Sequence, residues 1–167
     1  TLAKTSGDLG RLRHGERRHA TVLFSDMKGF TSLTEGRDPE EIDRLMSGVF
    51  ARFEEIIRRY GGSVEKYIGD ALVAVFGVPR AHEDDAERAV GAAWEFRQRL
   101  SREYPELRFR TGIHSGLVTT GKRGDYDVVT GHALAVASRL ETFAEPGAIL
   151  VSDAVFEGAG RDFLFGE

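Results

Sequence analysis

The stretch Ser63 to Gly77, SVEKYIGDALVAVFG, constrains this chain more than any other. Two β-rich runs flank Gly69 and Asp70, and a two-residue loop with glycine first predicts a type II′ hairpin. A long helical pattern lies on each side of it. Before the hairpin, Ile42, Leu45, Met46, Val49, Phe50, Phe53, Ile56, Ile57 and Tyr60 recur at helical spacing. Asp38 is placed to cap that helix and Pro39 suits its first position. Glu40 and Glu41 suit its positive end, and Gly61 and Gly62 stop it. After the hairpin, Ala86, Ala89, Val90, Ala93, Trp94 and Leu100 mark the inner side of a helix over about His82 to Arg102.

A hairpin bracketed by helices leaves few topologies. RRHATVLFSD has a continuous apolar centre and predicts a buried strand ahead of the first helix. LRFRTGIHSGLVTTG predicts strand, turn and strand after the second. The order is βαββαβ, an α+β ferredoxin-like core. DYDVVTG and GAILVS add strands, and HALAVASRLETFA adds a helix. Residues 1–15 are polar and read as a linker or the end of an upstream element, leaving 16–167 as one domain. Residues after about Ser152 are ambiguous.

Composition narrows the function classes. Net charge is −4, which supplies no basic field and argues against a dedicated nucleic-acid binder. The absence of cysteine excludes disulfides, thiolate metal sites and a cysteine nucleophile, and fits a reducing, cytoplasmic setting. No apolar run is long enough to span a bilayer, so this chain carries no membrane segment of its own, although a longer parent could be anchored elsewhere.

The first strand ends at Asp26 and the hairpin tip carries Asp70. In a ferredoxin-like sheet the first strand is expected beside the strand that follows the first helix, so two carboxylates can meet at one end. Two acids completed by water and phosphate oxygens suit Mg²⁺. The loop DMKGFTSL adds backbone N–H groups at a helix start, and Gly29 lets a phosphate come close. Spacing alone leaves a second reading open, in which Asp26 caps the short helix and Asp70 is a turn residue.

TVLFSDMKGFTSL, VEKYIGDALVAVFG, GIHSG and GHALAVASRLE occur in this order and resemble the catalytic domain of class III nucleotidyl cyclases, over about Glu16 to Ser152. The resemblance implies a dimer, with this chain or a related cyclase domain as partner, and active sites at its interface. Asp26 and Asp70 match the metal-binding aspartates, and Met27 a position whose carbonyl also binds metal. Lys28, Gly29, Phe30 and Thr31 match the phosphate loop. Two Mg²⁺ or Mn²⁺ ions are implied. Lys66 matches a base-reading lysine and Arg139 a transition-state arginine, both from the other subunit. Lysine at this position favours adenine, so the resemblance implies ATP as substrate, with cyclic AMP and pyrophosphate as products.

Several positions depart from the family pattern. Ala135 stands where members usually carry a ribose-orienting asparagine, four residues before Arg139. The second base-reading position falls on Val128 by an ungapped count, or on Asp127 if the alignment follows DY. Asp127 makes chemical sense there. Leu117 follows HSG where some relatives place a polar residue, the segment from Gly116 to Tyr126 is short, and no further phosphate-binding lysine is visible before Glu167. These departures keep three alternatives in view. They are a cyclase-like pseudo-enzyme, one half of a heterodimer, and a cyclase for another nucleoside triphosphate.

Other polar clusters have simpler readings. His82, Glu83, Asp84 and Asp85 suit an acidic helix start. His114 reads as a packing residue in a buried strand and His132 as isolated. GKRGD has loop chemistry without P-loop spacing, and Ser25 lacks a nucleophile-elbow context.

Overall fold

A computed structural model describes residues 15–68, 71–124, 126–160 and 163–166, with backbone alone for 66–68 and 126. Residues 1–14 of the proposed linker at 1–15, and the hairpin tip at Gly69 and Asp70, therefore lie outside the described residues. The elements run β1 (Arg17–Lys28), α1 (Phe30–Thr34), α2 (Pro39–Arg59), β2 (Ser63–Ile68), β3 (Ala71–Phe76), α3 (Asp85–Glu103), β4 (Arg108–Arg123), β5 (Tyr126–Thr130), α4 (His132–Phe143), β6 (Ile149–Val151) and α5 (Asp153–Gly158). The α+β fold with a βαββαβ core, extra strands and an extra helix is as expected. Among the described residues no helix is long and apolar enough to cross a membrane.

The sheet order is β2-β3-β1-β4-β5, so β1 lies beside the second strand of the hairpin and not, as expected, beside the strand that follows the first helix. β6 pairs in parallel with β4 at Thr111 to Ile113, beside the stretch that β5 occupies further along the same strand. Alternation along β1 assigns its two faces. Leu23 and Met27 join the core built with α2, α3 and α5. Ala20 and Val22 join a smaller core closed by Ala133 and Ala137 of α4, with Phe24 packed against it. On the α2/α3 side, two buried hydroxyl pairs tie β1 to β4, Thr21 to Ser115 at 2.7 Å and Ser25 to Thr111 at 2.9 Å.

α2 begins as its sequence requires, with the Asp38 carboxylate accepting from the Glu40 N–H at 3.0 Å and Pro39 opening the helix. Three further expectations need correction. LRFRTGIHSGLVTTG is one continuous strand without a central turn. β1 offers β4 an unbroken antiparallel partner from Lys28↔Arg108 to Arg17↔Thr119, and the Ser115–Gly116 pair sits inside that register. The first three residues of GKRGD extend the same strand, and the chain turns at Gly124, which has φ 61°. α3 starts at Asp85 rather than His82, because the Asp85 carboxylate accepts from the His82 backbone N–H at 2.9 Å and folds residues 82–84 into a turn. The acidic residues Asp85 and Glu87 then occupy the first turn, favourable at a helix start. The ambiguous tail contains α5.

Candidate active site at the end of the first strand

Asp26 lies near the C-terminal end of β1 on the face that carries α4. It sits opposite Ala71 of β3 on one side and Arg110 of β4 on the other. Its side chain is 26% exposed. Met27, next along, is buried on the opposite face and anchors the strand end. Lys28 and Gly29 are exposed, and Gly29 takes the left-handed conformation at φ 81° that turns the chain into α1. A β-carbon at Gly29 would meet nothing within 4 Å, so open space lies beside the loop. Thr31 is exposed, while Phe30 is half-buried and packs against the α2 core.

Arg110 reaches three groups at once. Its Nη2 lies 3.0 Å from Glu141 Oε1 and 3.7 Å from Asp26 Oδ2, and its Nη1 donates to the Thr142 carbonyl at 3.4 Å. Glu141 and Thr142 belong to the last turn of α4, where a cation is favourable. The helix can lie this low because the cross-strand neighbourhood includes Gly112. A β-carbon there would be 2.2 Å from the Ala137 carbonyl oxygen and 2.4 Å from the Glu141 nitrogen. Neither Arg110 nor Glu141 was identified from sequence. A clue was available in the alternation of β4, where an arginine shares the covered face with Gly112 and Val118 and so requires a polar partner.

α4 divides its residues cleanly. Ala133, Ala137 and Glu141 are buried against the sheet, while Ala135 and Arg139 are exposed and one turn apart. Positions 139 and 141 are about 200° apart around the helix. Arg139 therefore points away from the sheet surface on which Asp26 and Arg110 sit. Within one chain, the helix stands between the aspartate and the arginine.

The base-reading positions are only partly described. Lys66 lies in β2 opposite Val73, just after a register shift that follows Val64, and Asp70 lies outside the described residues. On β5, Asp127 shares a face with buried Val129, while Val128 has the opposite parity. Asp127 Oδ1 is buried and takes no hydrogen bond from a described residue. The β4–β5 ladder is regular from Thr119↔Thr130 to Arg123↔Tyr126. Leu117 is 59% exposed. His114 donates to or accepts from Ser152 through Nδ1 at 2.8 Å, as a packing role requires. Burial, with smaller effects from His132 and His19, holds its pKa below the usual histidine value.

Asp26 and the Met27 carbonyl supply hard oxygen donors of the kind Mg²⁺ and Mn²⁺ accept, and the partly exposed carboxylate beside an open glycine turn fits an ion shared with a phosphate. Among the described residues no three His, Cys, Asp or Glu side chains converge. A cleft of about 350 Å³ between α3 and the β6 end is lined by Trp94, Arg97, Thr111 and Ile149, away from Asp26.

The family model for the adenylate and guanylate cyclase catalytic domain matches residues 12–163. The guanylate cyclase domain of RhGC from Catenaria anguillulae, solved in complex with GTP, superposes with a TM-score of 0.83 at 26% identity, covering 89% of this chain and 86% of that one. The adenylyl cyclase CyaB from P. aeruginosa gives 0.81 at 29% identity, covering 87% and 82%. Adenylate cyclase 1 of Rhizobium meliloti is 33% identical over 148 residues, covering 81% of this chain and 22% of its own length. The chain spans less than a third of the curated relatives it matches.

Proposed function

The chain belongs to the adenylate and guanylate cyclase catalytic-domain family, and from that premise we propose that it is an adenylate cyclase domain acting as a homodimer. The observation that carries this reading is the position of Asp26, a partly exposed carboxylate at a strand end beside the open turn at Gly29. Asp26, Asp70 and the Met27 carbonyl would hold two Mg²⁺ or Mn²⁺ ions. When bound, these ions supply Lewis-acid polarisation of the α-phosphate and lower the pKa of the ribose 3′-hydroxyl. That hydroxyl oxygen gives up its proton to solvent and forms a bond to the α-phosphorus as the bond from that phosphorus to pyrophosphate breaks.

The chain's own residues orient and neutralise. Lys28 to Thr31 bring backbone N–H groups and a lysine to the triphosphate. Lys66 supports ATP over GTP, since an ammonium donates to an acceptor nitrogen of adenine, and Asp127 can accept from the exocyclic amine. Arg139 meets the charge that develops on the phosphoryl oxygens. Its outward position on α4, away from Asp26 of the same chain, supports an interface site in which a second chain supplies the arginine.

Ala135 favours a second reading. An alanine methyl cannot orient the ribose, so the domain has low activity alone, or complements a partner that carries the asparagine. The test is product formation. The domain is incubated at high concentration with ATP, GTP, CTP or UTP and Mn²⁺, and cyclic products are resolved by chromatography beside the Asp70→Ala variant. Cyclic AMP that disappears in Asp70→Ala supports the adenylate cyclase reading. No cyclic product from a folded, dimeric domain refutes it and leaves the heterodimer or pseudo-enzyme.

A further inference from the structure

The outer row of α4 does not end at Arg139. Ala135, Arg139 and Phe143 follow one another at four-residue intervals, and all three are exposed. Phe143, the last residue of the helix, is 79% exposed and stands about 6 Å beyond Arg139 along the axis. A phenyl ring left in water there is apolar area that a partner can bury. Glu145, two residues on, is exposed as well. A complementary feature adjoins the phosphate loop. Between α1 and α2 lies a groove of about 530 Å³, lined by Phe30, Ile42, Met46 and Phe50, with Arg37 and Asp43 at its rim. A dry cavity of about 150 Å³ already admits benzene, so the groove has room for a phenyl side chain. Arg37 and Glu145 each lack an ion pair among the described residues.

A site shared between two chains brings these features together. Arg139 of one chain must then reach a nucleotide held beside Lys28 to Thr31 of the other. That sets the outer row of α4 against the loop whose Phe30 also lines the groove. We infer that Phe143 of a second copy of this chain seats in the groove between α1 and α2, with its Glu145 facing Arg37. This rests on the proposed homodimer. A twofold axis repeats the contact, so each chain gives one ring and receives one. The ring supplies a buried aromatic anchor, the kind of residue that carries most of an interface's energy, and the opposite charges beside it fix its register.

The test is dimer affinity by analytical ultracentrifugation, with a cross-link to locate the contact. Phe143→Ala removes an exposed side chain and should leave the fold intact. Its dimer dissociation constant should rise roughly 100-fold, about tenfold for each of the two equivalent contacts. Arg37→Glu should weaken the dimer by a smaller factor, and adding Glu145→Arg to the same chain should restore it. The chain has no cysteine, so engineered thiols report without background. Phe143→Cys chains mixed with Thr34→Cys chains should form a disulfide-linked pair, because Thr34 lines the groove. Phe143→Cys mixed with Ser101→Cys, at the far end of α3, should not. A folded Phe143→Ala domain that dimerises like the wild type overturns the inference. So does a dimer in which Phe143→Cys links to Thr34→Cys no better than to Ser101→Cys. A wild-type domain that stays monomeric with Mn²⁺ and 3′-deoxy-ATP, which cannot cyclise, refutes the homodimer itself and the contact with it. An intact wild-type dimer therefore separates failure of the contact from failure of the proposed function.

Discussion

Gly112→Ala tests how closely α4 must lie on the sheet. The new β-carbon would stand 2.2 Å from the Ala137 carbonyl oxygen, 2.4 Å from the Glu141 nitrogen and 2.8 Å from the Leu140 β-carbon. The first two are helix backbone, which has no rotamer to escape into. Restoring ordinary contact at 3.4 Å requires α4 to retreat by about 1.2 Å. Overpacking of this kind costs about 3 kcal/mol or more. For a chain of this size that corresponds to a Tm lower by about 6–12 °C. Gly116→Ala is the control, four residues further along the same strand and on the same face. There the new atom meets only the far end of His114 at 3.0 Å and the Ala133 side chain at 3.4 Å, and the Tm should move little. The melts are followed by circular dichroism at one protein concentration, with product formation measured below both transitions. Because α4 carries Arg139 and Glu141, a displacement near 1 Å should also lower activity on the order of 10²-fold in the folded protein. A Gly112→Ala variant that melts with the control refutes the close approach of helix and sheet.

Three further outcomes follow from the same geometry. Ala135→Asn places the missing amide on the exposed face of α4, one turn before Arg139, and should raise kcat by about 10²-fold without loss of stability; unchanged kinetics would show that the ribose is held otherwise. Lys66→Glu should lower kcat/KM for ATP and relieve discrimination against GTP, measured with both nucleotides at equal Mn²⁺. His114 titrates below its ordinary 6.5 in the folded state, chiefly through burial. The unfolded chain therefore binds more protons in the window below pH 6.5, so stability falls as pH drops through it. Denaturant midpoints between pH 7.5 and 5.5 should decline in the wild type and flatten in His114→Gln; parallel slopes would assign the decline to other groups.

What was legible in the sequence was local. Asp38, Pro39 and the apolar spacing of α2 specify a helix with its own ends, and β2 and β3 pair across a two-residue gap as a hairpin should. The misread elements depend on partners far along the chain. The Ser115–Gly116 pair looks like a turn until β1 supplies twelve consecutive partners for β4. The start of α3 depends on which backbone N–H the Asp85 carboxylate takes, a choice between two local hydrogen-bond patterns that composition cannot rank. At the site, an acid ending a strand is common, and Asp26 stood out only because the motif around it and the one around Asp70 resemble the family's metal-binding pair. Arg110 and Glu141 were missed because they are 31 residues apart and each alone resembles a solvated charge. Only the tight seat of α4 at Gly112 makes them a buried pair.

That seat bears on the assembly. Glu141 faces the sheet and touches Arg110, so Arg139, about 200° around the same helix, faces outward. If Asp26 and Arg139 act on one nucleotide, they must come from different chains, and each inactive single mutant retains what the other lacks. Mixing Asp26→Asn chains with Arg139→Ala chains should then restore activity. Random two-fold pairing makes half of the dimers mixed, and each mixed dimer holds one intact site and one doubly broken site. The expected recovery is about a quarter of wild-type activity per chain. It should rise with protein concentration as exchange proceeds, and analytical ultracentrifugation fixes the dimer fraction at each point. An intrachain site predicts no recovery at any ratio. Mixed dimers that form fully and stay inactive would therefore refute the shared site, even if each wild-type chain is an active cyclase.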